Sequence, residues 1–420
     1  MSTKAPELNR LLFVDTLRGL AVLFMIQLHT SHGWLRTDLR SGATWSAAQF
    51  FGGLAAPIFL FLAGASLGLQ WGRAEAAARP LHPAKHIARG LQLVVMGYVL
   101  RLQMWVIDGG AYARPGSYPA IVGLLCAYAI AHHAAGKLAD APRRAATRGL
   151  LAAGLWCAAL IWVRVYEPIR LRGLLRVDVL QCIGASLVLL NLLAARSRNR
   201  PPRGAALLAL AVLIGLATAW LRPIVPGVLP EALAGYIVQW SSNDSKPVLA
   251  LFPILPWWGF ACVGACVGLG WSRASDQAQL DLFLVGGVAL GAFLALLTNE
   301  SWTPVYLFAR KHASLAPLLR LAYKVGLVLV LVGVALALSH AKAAVMAPIQ
   351  TLGRASLLVY WVHLEFAFGV AAKPIVRALD FPAWALCTAL LMIAMWVLAT
   401  ARLHLDLDAL RGLRRGTATS

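Results

Sequence analysis

The sequence predicts an all-α protein, a polytopic helical bundle integral to a membrane, and three observations lead to this fold class. Of the 420 residues, 60% are hydrophobic and only 13% are charged. Apolar runs close to the ~20 residues that cross a bilayer recur along the chain. Short clusters of Lys and Arg lie between these runs. A soluble domain needs far more charge on its surface, so the composition excludes that class.

The apolar runs predict about 11–12 transmembrane helices. They lie at about 11–29, 48–69, 87–107, 117–135, 149–166, 177–195, 204–221, 253–270, 279–298, 319–339, 348–370 and 382–401. The longest connection, at about 222–252, contains Pro223, Pro226 and Pro230 and a polar run at 241–246, and its turn chemistry predicts a loop. We expect one domain, residues 1–420.

The formal net charge of +21 is distributed between the apolar runs rather than on one basic face. This pattern argues against nucleic acid and indicates loops beside anionic membrane lipid. The Lys and Arg bias favours a cytoplasmic amino terminus, although four arginines in the connection from Arg164 to Arg176 oppose it. The six cysteines have no zinc-like spacing, so we expect no metal.

The first span carries ionisable residues at both of its ends, Asp15 and Arg18 at one and His29 and His32 at the other. At membrane depth each costs about 2.5–3.5 kcal/mol, so such groups persist mainly where they are paired or do chemistry. Eleven helical steps return to within ~20° of one face and advance ~16 Å, so Arg18 and His29 share a face. Asp15 lies one turn before Arg18 and can pair with it.

A cytoplasmic amino terminus would bring polar and aromatic residues of several spans to the depth of His29. Tryptophans at this depth could instead form an interfacial belt, and a single histidine could simply be a packing residue. We expect the carboxylate that orients His29 to come from Asp178 or Glu365. The residues predicted at this outer level are His29, His32, Asp178, Gln181, Trp257, Trp258, Tyr360, His363 and Glu365.

A neutral histidine near a carboxylate can take a proton from a hydroxyl or amine as that group attacks an activated carbonyl. Alternatively, His29 could be a covalent acyl carrier. Arg18 suits the phosphates of a donor, and we assign Arg101 to the same role. The ~16 Å between Arg18 and His29 resembles the reach of a pantetheine arm, which favours an acyl-CoA donor.

The segment VDTLRGLAVLFMIQLH resembles the first helix of the transmembrane acyltransferase superfamily, whose acyltransferase-3 branch has the Arg-x10-His signature that Arg18 and His29 fit. The chain as a whole resembles bacterial relatives of heparan-alpha-glucosaminide N-acetyltransferase. This resemblance rests on AAPIFLFLAGAS (55–66), RVDVLQCIG (176–184), FPILPWWGFACVG (252–264) and LGRASLLVYWVHLE (352–365). In the lysosomal enzyme the catalytic histidine lies in the loop after this helix and an asparagine occupies the position of His29. Here that loop carries Arg36 and Arg40 but no histidine beyond His32.

The resemblance implies a bacterial inner-membrane acyltransferase that moves an acetyl or other acyl group from cytoplasmic acyl-CoA to a glycan or lipid-linked acceptor at the outer face. His29 would be the catalytic residue and His32 the second choice. Asp178, His363 and Glu365 would support catalysis, and Trp257, Trp258, Gln181 and Tyr360 would bind substrate. A glucosamine acceptor is not implied, and a homodimer is one possible assembly.

Two other classes of protein fit the composition. A secondary transporter or lipid flippase also has many spans with intramembrane charges, but it predicts an internal repeat, and the Arg-x10-His helix has no counterpart near residue 210. A membrane scaffold without turnover does not require ionisable groups at one depth.

Overall fold

The computed structural model describes residues 5–109, 147–155, 157–158, 175–197, 200–238, 250–274, 277–297, 313–341 and 343–416, with four isolated positions between 127 and 134. Within these ranges the ordered elements are helices, with isolated β-bridges, which confirms the all-α prediction. Most of the predicted span at 117–135, half of the span at 149–166 and the polar run at 241–246 lie outside the described residues.

The described α-helices cover most of the predicted spans. In chain order they are α1 (Ala5–Trp34), α2 (Gly42–Gly52), α3 (Ala55–Ala76), α4 (Pro83–Gly109), α5 (Val179–Arg196), α6 (Gly204–Val228), α7 (Glu231–Ile237), α8 (Ile254–Arg273), α9 (Gln277–Leu297), α10 (Ala316–Ala341), α11 (Ala343–Arg354), α12 (Ser356–Phe368) and α13 (Phe381–Gly416).

Seven helical segments of the described chain are long and apolar enough to cross a membrane. They are Leu12–Trp34, Gly42–Ala76, Val179–Arg196, Gly204–Val228, Ile254–Arg273, Ala316–Leu338 and Phe381–His404. Helices α4 and α9 also stand where spans were predicted, at 87–107 and 279–298. The chain is therefore an integral membrane protein with many spans.

Two predictions about helix boundaries are wrong. Pro223 and Pro226 lie inside α6, and α7 follows, so the predicted loop does not begin at 222. Each proline removes one backbone donor, which membrane helices tolerate. The predicted span 348–370 is interrupted at Ala355 (φ −98°, ψ 17°), where α11 ends and α12 begins. Apolar content alone does not reveal such a break.

The chain divides into two compact units: residues 1–62, 284–295 and 324–420 form the first, and 63–283 and 296–323 form the second. The prediction of a single domain over 1–420 stays a prediction. The core of the first unit joins α1, α11, α12 and α13 through buried apolar side chains. These include Val22, Ile26, Leu352, Val359 and Met395.

In the second unit, glycines bring helices into close contact. Gly64 and Gly68 of α3 face the backbone of Ala261 and Ala265 of α8, as is typical of closely packed membrane helices. Helix α4 packs along α5, and a Cβ on Gly90 would lie 2.7 Å from the Gly184 carbonyl oxygen. Further along α4, a Cβ on Gly97 would meet the side chain of Gln181, so the beginning of α5 lies beside the middle of α4.

Candidate active site

Helices α1 and α12 approach each other closely at their final turns. A Cβ on Gly33 would collide with the carbonyl oxygen of Ala367, so only glycine allows this separation. The indole Nε1–H of Trp34 donates to the carbonyl of Phe366 at 3.2 Å. Backbone hydrogen bonds from Arg377 to Gly33 and from Leu379 to Trp34 extend the attachment beyond the helix end.

One helical turn before these contacts, the rings of His29 and His363 meet. Nδ1 of His29 lies 2.8 Å from Nε2 of His363. The ring planes differ by only 3° and the centroids are 5.1 Å apart, so the N–H of one ring can point along the plane of the other. His363 is fully buried, whereas His29 is partly exposed. These two histidines, which were predicted at one depth, are therefore in direct contact.

The hydrogen-bond network assigns the tautomers of two neutral rings. Nδ1 of His363 lies 2.8 Å from the carbonyl oxygen of Val359, which can only accept, so the proton of His363 is on Nδ1. Nε2 of His363 therefore carries a lone pair and accepts from Nδ1–H of His29. The second nitrogen of His29, Nε2, then also carries a lone pair, and among the described residues it has no hydrogen-bond partner. Nε2 of His29 is the nitrogen that can receive a proton.

We expected a carboxylate to orient His29. Nδ1 of His29 faces His363 instead, so this nitrogen has no carboxylate partner. Glu365 is two residues beyond His363, which places it about 200° around the helix, on another side of α12. Tyr360 is buried on the preceding turn with its ring centroid 5.8 Å from that of His363. The structure thus brings Tyr360 to the histidine pair.

His32 has a different environment from His29. It is exposed, and its Nε2 lies 2.9 Å from Oε1 of Gln49 in α2. Arg40 in the following loop donates to the carbonyl of His32, and Arg36 pairs with Asp38 at 2.7 Å. The two arginines of this loop are therefore already engaged.

At the other end of α1, the predicted pair of Asp15 and Arg18 is confirmed, with 3.3 Å between Oδ1 and Nη1. The other carboxylate oxygen of Asp15 lies 3.1 Å from Nε of Arg354. One carboxylate thus holds two guanidinium groups, so this cluster keeps a net positive charge. The side chains of Arg18 and Arg354 are 28% and 50% exposed, which leaves them accessible to an anion.

In the second unit, Asp178 and Arg101 form an ion pair, with 2.9 Å between Oδ2 and Nε. Asp178 also caps α5: its side chain accepts from the backbone of Gln181, and Oε1 of Gln181 accepts from the backbone N–H of Asp178. Gln181 is fully buried. Three of the predicted site residues therefore lie together at the beginning of α5.

The two predicted tryptophans stand at the beginning of α8. The ring of Trp257 packs edge to face on Phe252, with centroids 4.8 Å apart. Nε1 of Trp258 is buried and has no hydrogen-bond partner among the residues that the structure describes. A substrate-binding role for the two tryptophans stays a prediction.

Two arginines were missed as site candidates. Arg354 lies within an apolar run and Arg176 lies just before one. An ionisable residue at such a position indicates a functional role, so the sequence could have identified both. Arg354 completes the Asp15 cluster, and Arg176 lies within electrostatic range of Asp178 and Arg101. Asp15 is distant in the chain from Arg354, and Arg101 is distant from Arg176, so sequence spacing does not give these two contacts.

Comparison with known proteins identifies the chain's relatives. Residues 10–116 and 111–310 match the family described as heparan-alpha-glucosaminide N-acetyltransferase, catalytic. This match includes Arg18, His29, Arg101, Asp178 and Gln181, and the chain continues for more than a hundred residues beyond it, through α11, α12 and α13. A search of curated proteins finds no match. Since the family match extends over most of its length, the chain belongs to the membrane acetyltransferase family defined by the catalytic domain of heparan-alpha-glucosaminide N-acetyltransferase.

Proposed function

We propose that the protein transfers an acetyl group from cytoplasmic acetyl-CoA to a hydroxyl or amine of a glycan or lipid-linked acceptor at the outer face of the bacterial inner membrane. The family supports acetyl transfer. The observation that carries the proposal for this chain is the hydrogen bond between His29 and His363, because it leaves Nε2 of His29 with a lone pair for chemistry.

In the proposed reaction, His29 is the general base. Nε2 takes the proton of the acceptor hydroxyl or amine as that group attacks the thioester carbonyl. The new C–O or C–N bond forms, the C–S bond breaks, and the proton on Nε2 passes to the departing thiolate of CoA. His29 returns to its neutral form, so the base is regenerated in each cycle.

His363 positions His29 and stabilises its protonated form. The Nε2 lone pair of His363 accepts from Nδ1–H of His29, and this bond strengthens when His29 gains positive charge. The carbonyl of Val359 holds His363 in the tautomer that makes this possible. A histidine and a backbone carbonyl thus have the role that we expected of a carboxylate.

The Asp15 cluster is the proposed contact of the donor phosphates. Arg18 and Arg354 both carry charge at accessible positions, and guanidinium groups bind phosphate by charge-assisted hydrogen bonds. Arg18 lies ~16 Å along α1 from His29, a distance that an extended pantetheine arm covers. The thioester would then reach His29 while the nucleotide stays at the cytoplasmic end.

The remaining assignments keep their predicted roles within this proposal. His32 is the alternative catalytic histidine. In the first unit, Glu365 keeps its predicted supporting role and Tyr360 binds substrate. In the second unit, Asp178 keeps its predicted supporting role, Arg101 binds the donor, and Gln181, Trp257 and Trp258 bind substrate.

The central test is acetyl transfer by purified protein in detergent, from labelled acetyl-CoA to a panel of sugars and membrane glycans. His29→Gln is expected to reduce transfer by about a hundredfold or more, the contribution typical of a general base. His404→Gln, at an exposed position near the end of α13, is the matched control. Transfer by His29→Gln at the rate of the unaltered protein would contradict the proposal.

A covalent acetyl-histidine is the alternative route, because the same lone pair of Nε2 can attack the thioester carbonyl. The acetyl group would then form an N–C bond to His29 as the C–S bond breaks, and the acceptor would displace it in a second step. Rapid quenching of the protein with labelled acetyl-CoA in the absence of acceptor distinguishes the two routes. Label on the unaltered protein but not on His29→Gln indicates the carrier route.

A further inference from the structure

A group of polar side chains surrounds the first turn of α5 in the second unit. We call Arg101, Arg176, Asp178 and Gln181 the α5 cluster. Asp178 supplies its single carboxylate, and Arg101 and Arg176 supply two guanidinium groups. Arg176 interacts electrostatically with both Asp178 and Arg101, so the three charged groups are neighbours. The cluster has a net positive charge.

Asp178 does not neutralise both arginines. One carboxylate accepts the backbone hydrogen bond of the capping box and pairs with Arg101. Nε of Arg101 lies 2.9 Å from Oδ2 of Asp178, so this N–H faces an acceptor within the ion pair. Nε of Arg176, in contrast, is buried and has no hydrogen-bond partner among the residues that the structure describes.

Gln181 adds a second donor of the same kind. Its Oε1 accepts from the backbone N–H of Asp178, which fixes the orientation of the amide. Its Nε2 has no partner in the described part of the chain, and the whole side chain is fully buried. Within this one cluster, Arg176 and Gln181 therefore each have a buried N–H group with no acceptor among the described residues. Buried donors are normally satisfied, so such a concentration is the signature of an absent acceptor group.

We propose that the α5 cluster binds an anionic group of a substrate: a phosphate, sulfate or carboxylate. Two unsatisfied donors and an excess positive charge require a group that only accepts and that carries negative charge. A neutral hydroxyl would leave the charge uncompensated. The proposal rests on the proposed function only in calling the ligand a substrate, since anion binding itself does not require turnover.

Two sources can provide this group: the phosphates of the CoA donor, or an acidic substituent on the acceptor. The first source agrees with the prediction that Arg101 binds the donor, and the second with the prediction that Gln181 binds the acceptor. The anion chemistry is the same in both cases. The experiment therefore measures anion binding first and the source of the anion second.

The first measurement is thermal unfolding of the purified protein with increasing sodium sulfate, against sodium chloride at equal ionic strength. Sulfate is expected to raise the unfolding temperature of the unaltered protein. Arg176→Gln is expected to raise the half-saturating sulfate concentration by about tenfold or more, since it removes a charge-assisted interaction. Arg176→Lys, which keeps the charge, should retain part of the response.

Arg273→Gln is the matched control in the same unit, because Arg273 is half exposed and pairs with Glu75 at 2.8 Å. It should respond to sulfate like the unaltered protein. Gln181→Glu is the second test variant. It keeps the oxygen that accepts from Asp178 but replaces the donor with a negatively charged oxygen, so its sulfate response should disappear.

Equal sulfate responses in the unaltered protein, Arg176→Gln and Gln181→Glu would overturn the proposal.

The second measurement repeats the titration with adenosine 3′,5′-bisphosphate and with glucuronate. A response to the bisphosphate that is lost in Arg176→Gln identifies the donor as the source, and the same loss with glucuronate identifies the acceptor. An unaltered protein that responds to none of the three anions would also overturn it. Loss of acetyl transfer with anion binding intact would instead count against the proposed function.

Discussion

Nδ1 of His29 donates to Nε2 of His363 across 2.8 Å, and the carbonyl of Val359 holds His363 in the accepting tautomer. The two histidines are more than three hundred residues apart in the chain. This contact joins the first helix to one of the last, and it determines which nitrogen of His29 can act as a base.

A variant without the accepting nitrogen of His363 tests the hydrogen bond between His29 and His363. His363→Leu leaves Nδ1–H of His29 without its partner, and we expect kcat to fall by about tenfold to a hundredfold, the effect of losing one buried hydrogen bond. KM for acetyl-CoA should change little, because the donor phosphates are assigned to the other end of α1. His363→Gln offers an amide oxygen to Nδ1–H and should recover part of kcat. Equal kcat values for the Leu and Gln variants would contradict a positioning role.

The two histidines of α1 should differ in importance. His29→Gln removes the lone pair of Nε2, whereas His32 is exposed and its Nε2 is directed to Gln49. We therefore expect His32→Gln to reduce acetyl transfer far less than His29→Gln does. The two variants, assayed side by side with labelled acetyl-CoA, rank the candidates. A greater loss in His32→Gln would transfer the catalytic role to His32.

The sequence contained enough information to place both histidines at one depth, because span order and direction follow from apolar runs and charge bias. It did not contain the pairing itself. The rotation of α12 about its own axis decides whether His363 or Glu365 faces α1. The tautomer of His363 depends on the backbone carbonyl of Val359, a group that any residue at that position would supply. For this reason the sequence did not show that Nδ1 of His29 faces a histidine rather than a carboxylate.

The same distinction applies to the arginines. The spacing of Asp15 and Arg18 predicts their pair, since three residues make less than one turn. Arg354 reaches the same carboxylate from α11, a contact created by the packing of two helices. Arg176 likewise comes close to Arg101 only when α4 and α5 pack together. Local pairs are visible in sequence, and contacts between helices are not.

Gly33 should be essential for the alignment of the two rings. Gly33→Val would force α12 away, because a Cβ at this position meets the carbonyl oxygen of Ala367. We expect acetyl transfer to fall by at least about tenfold, since a small displacement of a catalytic group carries a cost of that order. Gly286→Val is the control, because a Cβ at Gly286 meets nothing within 4 Å. Similar losses in both variants would show that the effect is not specific to the contact of α1 with α12.

The final prediction concerns the donor end of α1. Arg354→Gln removes one of the two guanidinium groups that Asp15 holds, so we expect KM for acetyl-CoA to rise by about tenfold while kcat is largely kept. The KM for S-acetylpantetheine, which lacks the nucleotide phosphates, should be the same in the variant and the unaltered protein.

Arg273→Gln is a close control for this measurement, because the side chains of Arg273 and Arg354 are 49% and 50% exposed and each pairs with one carboxylate. It should leave both KM values unchanged. If Arg354→Gln raised KM for acetyl-CoA and S-acetylpantetheine equally, Arg354 would act through the packing of α11 on α1 rather than through phosphate. The dependence of the effect on the nucleotide phosphates therefore separates direct donor recognition from a structural role of the Asp15 cluster.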